Sequence, residues 1–484
     1  MTPPATINDA AQRIRSGELS IPDLLDACLR QIARLEPQLH AWVLLDAAGA
    51  RRQAEQRAAE LAAGRDRGPL HGIPIGIKDI IDVAGWPTRA GSPLRADHVA
   101  QHDAPIVARL RAAGAILLGK TVTTEFASFD PPPTRNPWNP QRTPGGSSSG
   151  SAVAVATGMC LAAIGSQTGG SITRPASFCG VAGCKPTFGL VSCRGVVPLS
   201  PHMDHPGPMA RCVDDLALLL QALKPRGWQA LLGPNQVDEL ALALQHLADR
   251  QEGEPPPADE PPREHTSAAQ PQHPPLHWGT EARRPLRLGL ATGFFLDEAS
   301  PAVRAVTLAA AERLRQRGAE IVSLSLAVDF PRVLTFHRRI MAVEAAETHR
   351  ETYPARADQY GPHIRQLLDD GHACSVLDYA EALRHRGAVR RAIVDALDAQ
   401  QIDALLTPAT VTTAPGPETT GDPRFNAPWS YTGLPTVNIP CALADDGLPC
   451  GLQLVGRPWA ERSLLAAAAW CERQLEFAPW LDRQ

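Results

Sequence analysis

From residue 70 onward the chain alternates short apolar runs, punctuated by Gly and Pro, with stretches of helical texture, and this alternation constrains the fold more than any other feature. Runs at 73–77, 115–118, 161–164 and 190–197 read as strands, with helical segments at 104–113 and 149–158 among them. The pattern continues with a strand at 286–291, a helix at 301–317, a strand at 320–325 and helices across 330–353 and 376–400. Strands near 403–407, 434–440 and 450–455 precede a final helix at 462–475. Such alternation predicts an α/β fold. Residues 7–63 read as helices instead: Ser20 can cap a segment with Pro22 in its first turn, and Gly64 stops the Ala-rich run 54–63. Nine prolines among charged and small residues make 251–285 an exposed insertion or linker. No internal repeat is found.

Composition narrows the partners. The balance of 47 basic to 51 acidic residues gives a net charge of -4, which offers no footprint for nucleic acid or an anionic membrane. No apolar run approaches the ~18–20 residues of a membrane span, and Met1-Thr2-Pro3-Pro4 lacks a basic region followed by an apolar one. The expectation is a soluble, unexported, cytoplasmic protein. Ten cysteines without a Cys-x-x-Cys pair read as reduced, mostly buried thiols. Only Lys78, Lys120, Lys185 and Lys224 are lysines, so few positions supply an amine whose pKa can be shifted.

Three loops compete for the chemistry. Gly114-Ala-Ile-Leu-Leu-Gly119-Lys120-Thr121 matches G-x-x-x-x-G-K-[ST], but Ala-Ile-Leu-Leu reads as a buried strand and not as a loop whose amides converge on phosphate. Gly146-Ser147-Ser148-Ser149-Gly150 matches G-x-S-x-G, yet the Pro-rich segment 136–145 before it is no strand, as a nucleophile elbow requires. Here the alternative is a flexible loop capping the helix at 150–158. Gly165-Ser166-Gln167-Thr168-Gly169-Gly170-Ser171 follows an apolar strand and leads to Arg174 and Pro175. Two glycines before a serine let backbone N–H groups turn toward one point where negative charge develops, though a plain turn has the same composition.

His71-Gly72-Ile73-Pro74-Ile75-Gly76-Ile77-Lys78-Asp79 raises these loops above background. An ammonium ending an apolar strand is costly to desolvate unless it is paired or loses its proton, so Lys78 is either a surface lysine or a base with a lowered pKa. Adjacent Asp79 would favour the charged form, an objection that strand alternation lessens by sending neighbouring side chains to opposite faces.

Together these residues resemble the amidase signature family of Ser-Ser-Lys hydrolases, over about residues 66–475 apart from the Pro-rich insertion. The strongest match is Gly145-Gly146-Ser147-Ser148-Ser149-Gly150-Ser151 followed, 24 residues after Ser147, by Ser171 in Thr-Gly-Gly-Ser. Lys78 in Gly-Ile-Lys-Asp is an independent third point. Supporting matches are Cys184-Lys185-Pro186-Thr187, the segment 204–211 and Gly451-Leu452-Gln453-Leu454-Val455-Gly456. The resemblance implies one domain over 1–484: a large mixed β-sheet covered by helices on both faces, with an N-terminal helical layer at 1–65.

It also implies roles. Ser171 matches the nucleophile, Ser147 the bridging serine that follows a cis peptide bond, and Lys78 the base. Backbone N–H groups of Thr168, Gly169, Gly170 and Ser171 would form the oxyanion hole, and no metal or organic cofactor is called for. Gln167 stands near a position where the family usually carries an acid, and Arg174 lies three residues after Ser171. That arrangement resembles the malonamidase-like branch, in which such an arginine binds a substrate carboxylate; the alternative is an internal salt bridge. The expected activity is hydrolysis of a small amide, urea or carbamate, with a homodimer left open. A glutaminase subunit of a tRNA-dependent amidotransferase and a catalytically dead scaffold are the competing readings.

Overall fold

The computed structural model describes residues 3–225 and 285–483. Strand pairing gathers β1 (Trp42–Leu45), β2 (Pro74–Lys78), β3 (Ile116–Thr121), β4 (Ala162–Gln167), β5 (Ala182–Lys185), β6 (His205–Ala210), β7 (Arg287–Ala291), β8 (Glu320–Leu324), β9 (Ala404–Pro408), β10 (Thr436–Leu443) and β11 (Pro449–Val455) into one sheet. Their order is β1-β3-β2-β4-β6-β5-β10-β11-β9-β7-β8. The sheet is mixed: β2 runs parallel to β3 and β4, and β7 parallel to β8 and β9, while the remaining pairs are antiparallel.

Every residue of β2, β3, β4, β5, β6, β9 and β11 is buried, as happens when helices cover both faces of a sheet. Helices Ser149–Ala156, Thr173–Cys179, Val213–Leu223, Pro301–Gln316 and Glu461–Leu475 pack on it. A second group, Phe330–Thr348, Pro362–Ala373, Val376–Ala399 and Ala427–Thr432, packs mutually beside it. Phe295 stacks on Trp429 and meets Phe330 and Phe425, tying that group to the end of β7.

Two expectations need correction. Residues 190–197 form a loop, because Ser192-Cys193-Arg194-Gly195 splits the apolar run and Gly195 adopts φ +69°; only Val196 makes an isolated bridge, to Ile81. The N-terminal layer is not wholly helical. Helix Ile21–Leu39, capped by Ser20 as expected, ends at His40 in the left-handed region, and the chain then adds β1 to the sheet edge before helix Ala47–Ala62. One strand was not expected: β6 carries Pro206 and Pro208 yet lies inside the sheet. β5 pairs only with Met209 and Ala210, so the proline-bearing half of β6 is laddered on one side alone. The expected insertion at 251–285 lies, but for Pro285, outside the described residues.

Candidate active site

Parallel strands place their following loops side by side, and the crevice beyond their carboxyl ends is where open α/β sheets hold chemistry. Lys78 is the last residue of β2, and Ser166 and Gln167 are the last of neighbouring β4. Between them in the chain, the Gly-Ser run 145–151 enters helix Ser149–Ala156 through a cis Gly146–Ser147 peptide. A side chain at position 150 would collide with the Ala41 carbonyl and the Val122 amide, at 2.1 and 2.5 Å, so only glycine lets this helix start so close to β3.

Lys78 is fully buried, and its Nζ lies 2.7 Å from Ser147 Oγ and 2.9 Å from Ser166 Oγ. Among the described residues, no carboxylate bonds to it. Asp79 points away and pairs with buried Lys120 at 2.8 Å, which also donates to the Pro87 carbonyl and Thr88 Oγ1. The G-K-T match is therefore a structural lysine on β3, and the objection raised by Asp79 is removed. Burial holds the Lys78 amine well below the usual lysine range; Asp204 pulls the other way and Arg174 reinforces the drop.

The other serines of the run are occupied. Ser148 Oγ exchanges hydrogen bonds with the Ser166 backbone, Ser149 Oγ donates to the Gly145 carbonyl, and Ser151 Oγ bonds Thr121 Oγ1. Ser148, the centre of the G-x-S-x-G match, is thus a bracing group. The Ser148 N–H donates to the Ser171 carbonyl at 3.2 Å, tying the two serine loops together. The Ser171 hydroxyl makes no hydrogen bond among the described residues and is 7% exposed, where Ser147 is 0%. Among the described residues, the N–H groups of Gly169, Gly170 and Ser171 likewise find no acceptor.

Gln167, near the expected acidic position, does an acceptor's work. Its Oε1 takes the N–H groups of Ile172 and Thr173 at 2.9 Å each, closing the turn that carries Ser171 into helix Thr173–Cys179. Arg174 makes no salt bridge among the described residues. Buried, it donates to the Thr420 carbonyl at 2.6 Å and the Gly146 carbonyl at 2.7 Å, leaving Nη1 without a partner there; burial lowers its pKa to about 10 against the pull of Asp422. A Cβ on Gly170 would lie 2.7 Å from that Nη1 and 2.7 Å from Asn426 Oδ1, so the nucleophile-side turn admits only glycine.

Two further groups lie in segments the sequence singled out, but were given no role there. Ser166 is the second hydroxyl on Lys78, found only through the β2–β4 register. Asp204 accepts from Thr168 Oγ1 and from the Leu199 and Ser200 amides, and burial pushes its carboxyl up to about 6. With Ile80, Ser166, Thr168 and Val197 it lines a narrow cleft.

A mixed sheet with these loops beyond β2 and β4 is the architecture of the amidase family, and the chain belongs to that family: the family model described as Amidase matches residues 23–229 and 234–465. Membership makes it a C–N hydrolase of that family. The chain is 36% identical to one subunit of the glutamyl-tRNA(Gln) amidotransferase of Roseiflexus castenholzii, over 95% of this chain and 94% of that one. It is 35% identical to an amidase of Pseudomonas putida, over 97% of this chain and 95% of that one. Among solved structures, native peptide amidase from Stenotrophomonas maltophilia aligns with TM-score 0.77 at 30% identity, covering 99% of this chain and 98% of that one. A protein from a vestigial complex described as revealing the origins of an s-triazine catabolic enzyme aligns with TM-score 0.81 at 31% identity, covering 98% of this chain and 99% of that one.

Proposed function

We propose that the chain hydrolyses small amides, ureas or carbamates through a serine acyl-enzyme, with Ser171 as nucleophile, Ser147 as relay and Lys78 as base. The observation that carries this reading is Lys78: a buried amine 2.7 Å from Ser147 Oγ with its neighbouring carboxylate diverted to Lys120. As a free amine it accepts the Ser147 proton and donates to Ser166; Ser147 in turn takes the proton of Ser171 as that oxygen attacks the carbonyl. Run backwards, the relay protonates the departing nitrogen, and water then releases the acid. The unpaired N–H groups of Gly169, Gly170 and Ser171, with that of Thr168, stabilise the oxyanion, each donor being worth about 2.7–4 kcal/mol where one has been removed elsewhere. Arg174 Nη1, buried and unpartnered among the described residues beside Gly170, supports recognition of a substrate carboxylate, as in the malonamidase-like branch.

A panel of amides, ureas and carbamates, with and without a free carboxylate, tests this by nitrogen release. The parent should turn over at least one class and react with a serine-directed phosphonate; Ser171→Ala should do neither. The amidotransferase relatives favour a second reading, a glutaminase that works inside a complex. Ammonia or amine release by the purified chain alone separates the two, because the hydrolase needs no partner.

A further inference from the structure

Thr168 is the first residue beyond β4, so no ladder bond orients its carbonyl. His337 takes that carbonyl instead: Nε2–H donates to it at 2.9 Å from the middle of helix Phe330–Thr348. The imidazole is buried, and a Cβ on Gly169 would stand only 3.4 Å from its Cε1, so the ring lies flush against the glycine turn. The Thr168 side chain is held separately by Asp204. By contrast, His205 Nδ1 faces the carbonyls of Gln167 and Met203 at 3.2 and 2.6 Å, and Gln167 is already registered against His205 in the ladder.

The only cis bond among the described residues is Gly146–Ser147, so the Thr168–Gly169 peptide is trans, with its C=O and N–H pointing in opposite directions. A carbonyl fixed toward the helix therefore aims the Gly169 N–H away from it. We propose that His337 is a positioning residue of the oxyanion loop, setting the direction of the Gly169 N–H by its hydrogen bond to the Thr168 carbonyl. The inference rests on the reading of residues 168–171 given above. It requires a hydrogen on Nε2; burial, which lowers the ring's pKa to about 4, keeps the ring neutral, so the bond fixes the Nε2–H tautomer. Losing this bond frees the peptide to rotate, which harms the transition state more than the bound substrate.

The test compares His337→Leu, which has no donor, with His337→Gln, whose side-chain amide can reach the same carbonyl. His337→Leu should lower kcat roughly 30- to 300-fold with KM within about threefold, somewhat less than the ~10²–10³ of removing an oxyanion donor outright, because the Gly169 N–H is misaimed and not deleted. His337→Gln should recover to within about tenfold of the parent, and inhibition by a tetrahedral boronate should weaken in step with kcat/KM. Unchanged kcat in His337→Leu, a loss confined to KM, or a loss that Gln does not rescue overturns the proposal. If the Leu variant does not fold, His337→Met takes its place under the same criteria. Ser171→Ala separates the failures: turnover in that variant sinks the reading of the site, whereas a dead Ser171→Ala beside a fully active His337→Leu sinks only the role of His337.

Discussion

At the residue scale the question is what keeps an amine uncharged inside a protein. Lys78 has two hydroxyls and, among the described residues, no carboxylate within hydrogen-bond reach, and the nearby charges of Asp204 and Arg174 oppose one another, leaving desolvation as the deciding influence. Lys120, equally buried, keeps Asp79 and so has a counter-charge. Exchanging these environments should exchange the behaviour. Lys78→Ala should cost several orders of magnitude in kcat/KM, with the deficit greatest where the parent's amine is unprotonated. Because its pKa is lowered, the parent's kcat/KM should climb with pH to a plateau well below the ordinary lysine range, and a pH–rate profile checks this. Arg174→Ala should slow all substrates by loosening the Gly146 carbonyl ahead of Ser147, and slow carboxylate-bearing ones about tenfold more; equal losses on neutral and anionic amides would confine Arg174 to bracing.

At the scale of elements, one glutamine joins the end of β4 to the start of helix Thr173–Cys179. Replacing Gln167 by Leu strands two buried N–H donors, at ~1–3 kcal/mol each, so a urea unfolding curve should show destabilisation by about 2 kcal/mol or more together with lost turnover. Lys78, Ser147, Ser171 and the glycine turn stood out in the sequence only through the resemblance of their motifs to the amidase signature family, since by composition alone a surface lysine, a capping loop and a plain turn fit as well. Ser166 and His337 did not. Ser166 reaches Lys78 only through the parallel register of β2 on β4, and His337 reaches Thr168 across 169 positions from a helix whose local pattern says nothing of its partner. The strands β1 and β6 were missed for similar reasons: one is four residues at a sheet edge inside helical surroundings, the other is rich in proline.

At the scale of the whole molecule, the desolvation that suits Lys78 to act as a base also shapes stability against pH. Lys185 is fully buried and donates to the Pro186 carbonyl, and burial lowers its pKa to about 7. Over the window from about 7 to its ordinary value of 10.5, the unfolded chain binds a proton that the native one does not, so stability rises with pH; Lys78 acts in the same direction. Glu472, raised by burial to about 8, opposes this only below that pH. The thiols of Cys28, Cys160, Cys179, Cys184, Cys441, Cys450 and Cys471 have the contrary sign: burial raises each far above 9.0, so above that pH the unfolded chain loses protons the native one keeps, and stability falls. Because these thiols outnumber the three amines that burial lowers, those of Lys78, Lys120 and Lys185, the decline wins, which places maximum stability near pH 9, about where the ordinary thiol ionises. Urea unfolding under reducing conditions at about pH 7.5, 9 and 10 should show a rise and then a fall, and Lys185→Met should flatten the rising limb while leaving the falling one. A steady decline from about pH 7.5 that Lys185→Met leaves unchanged would mean that the Lys185 amine remains charged in the native state, and burial alone would then not suffice to neutralise an amine in this core.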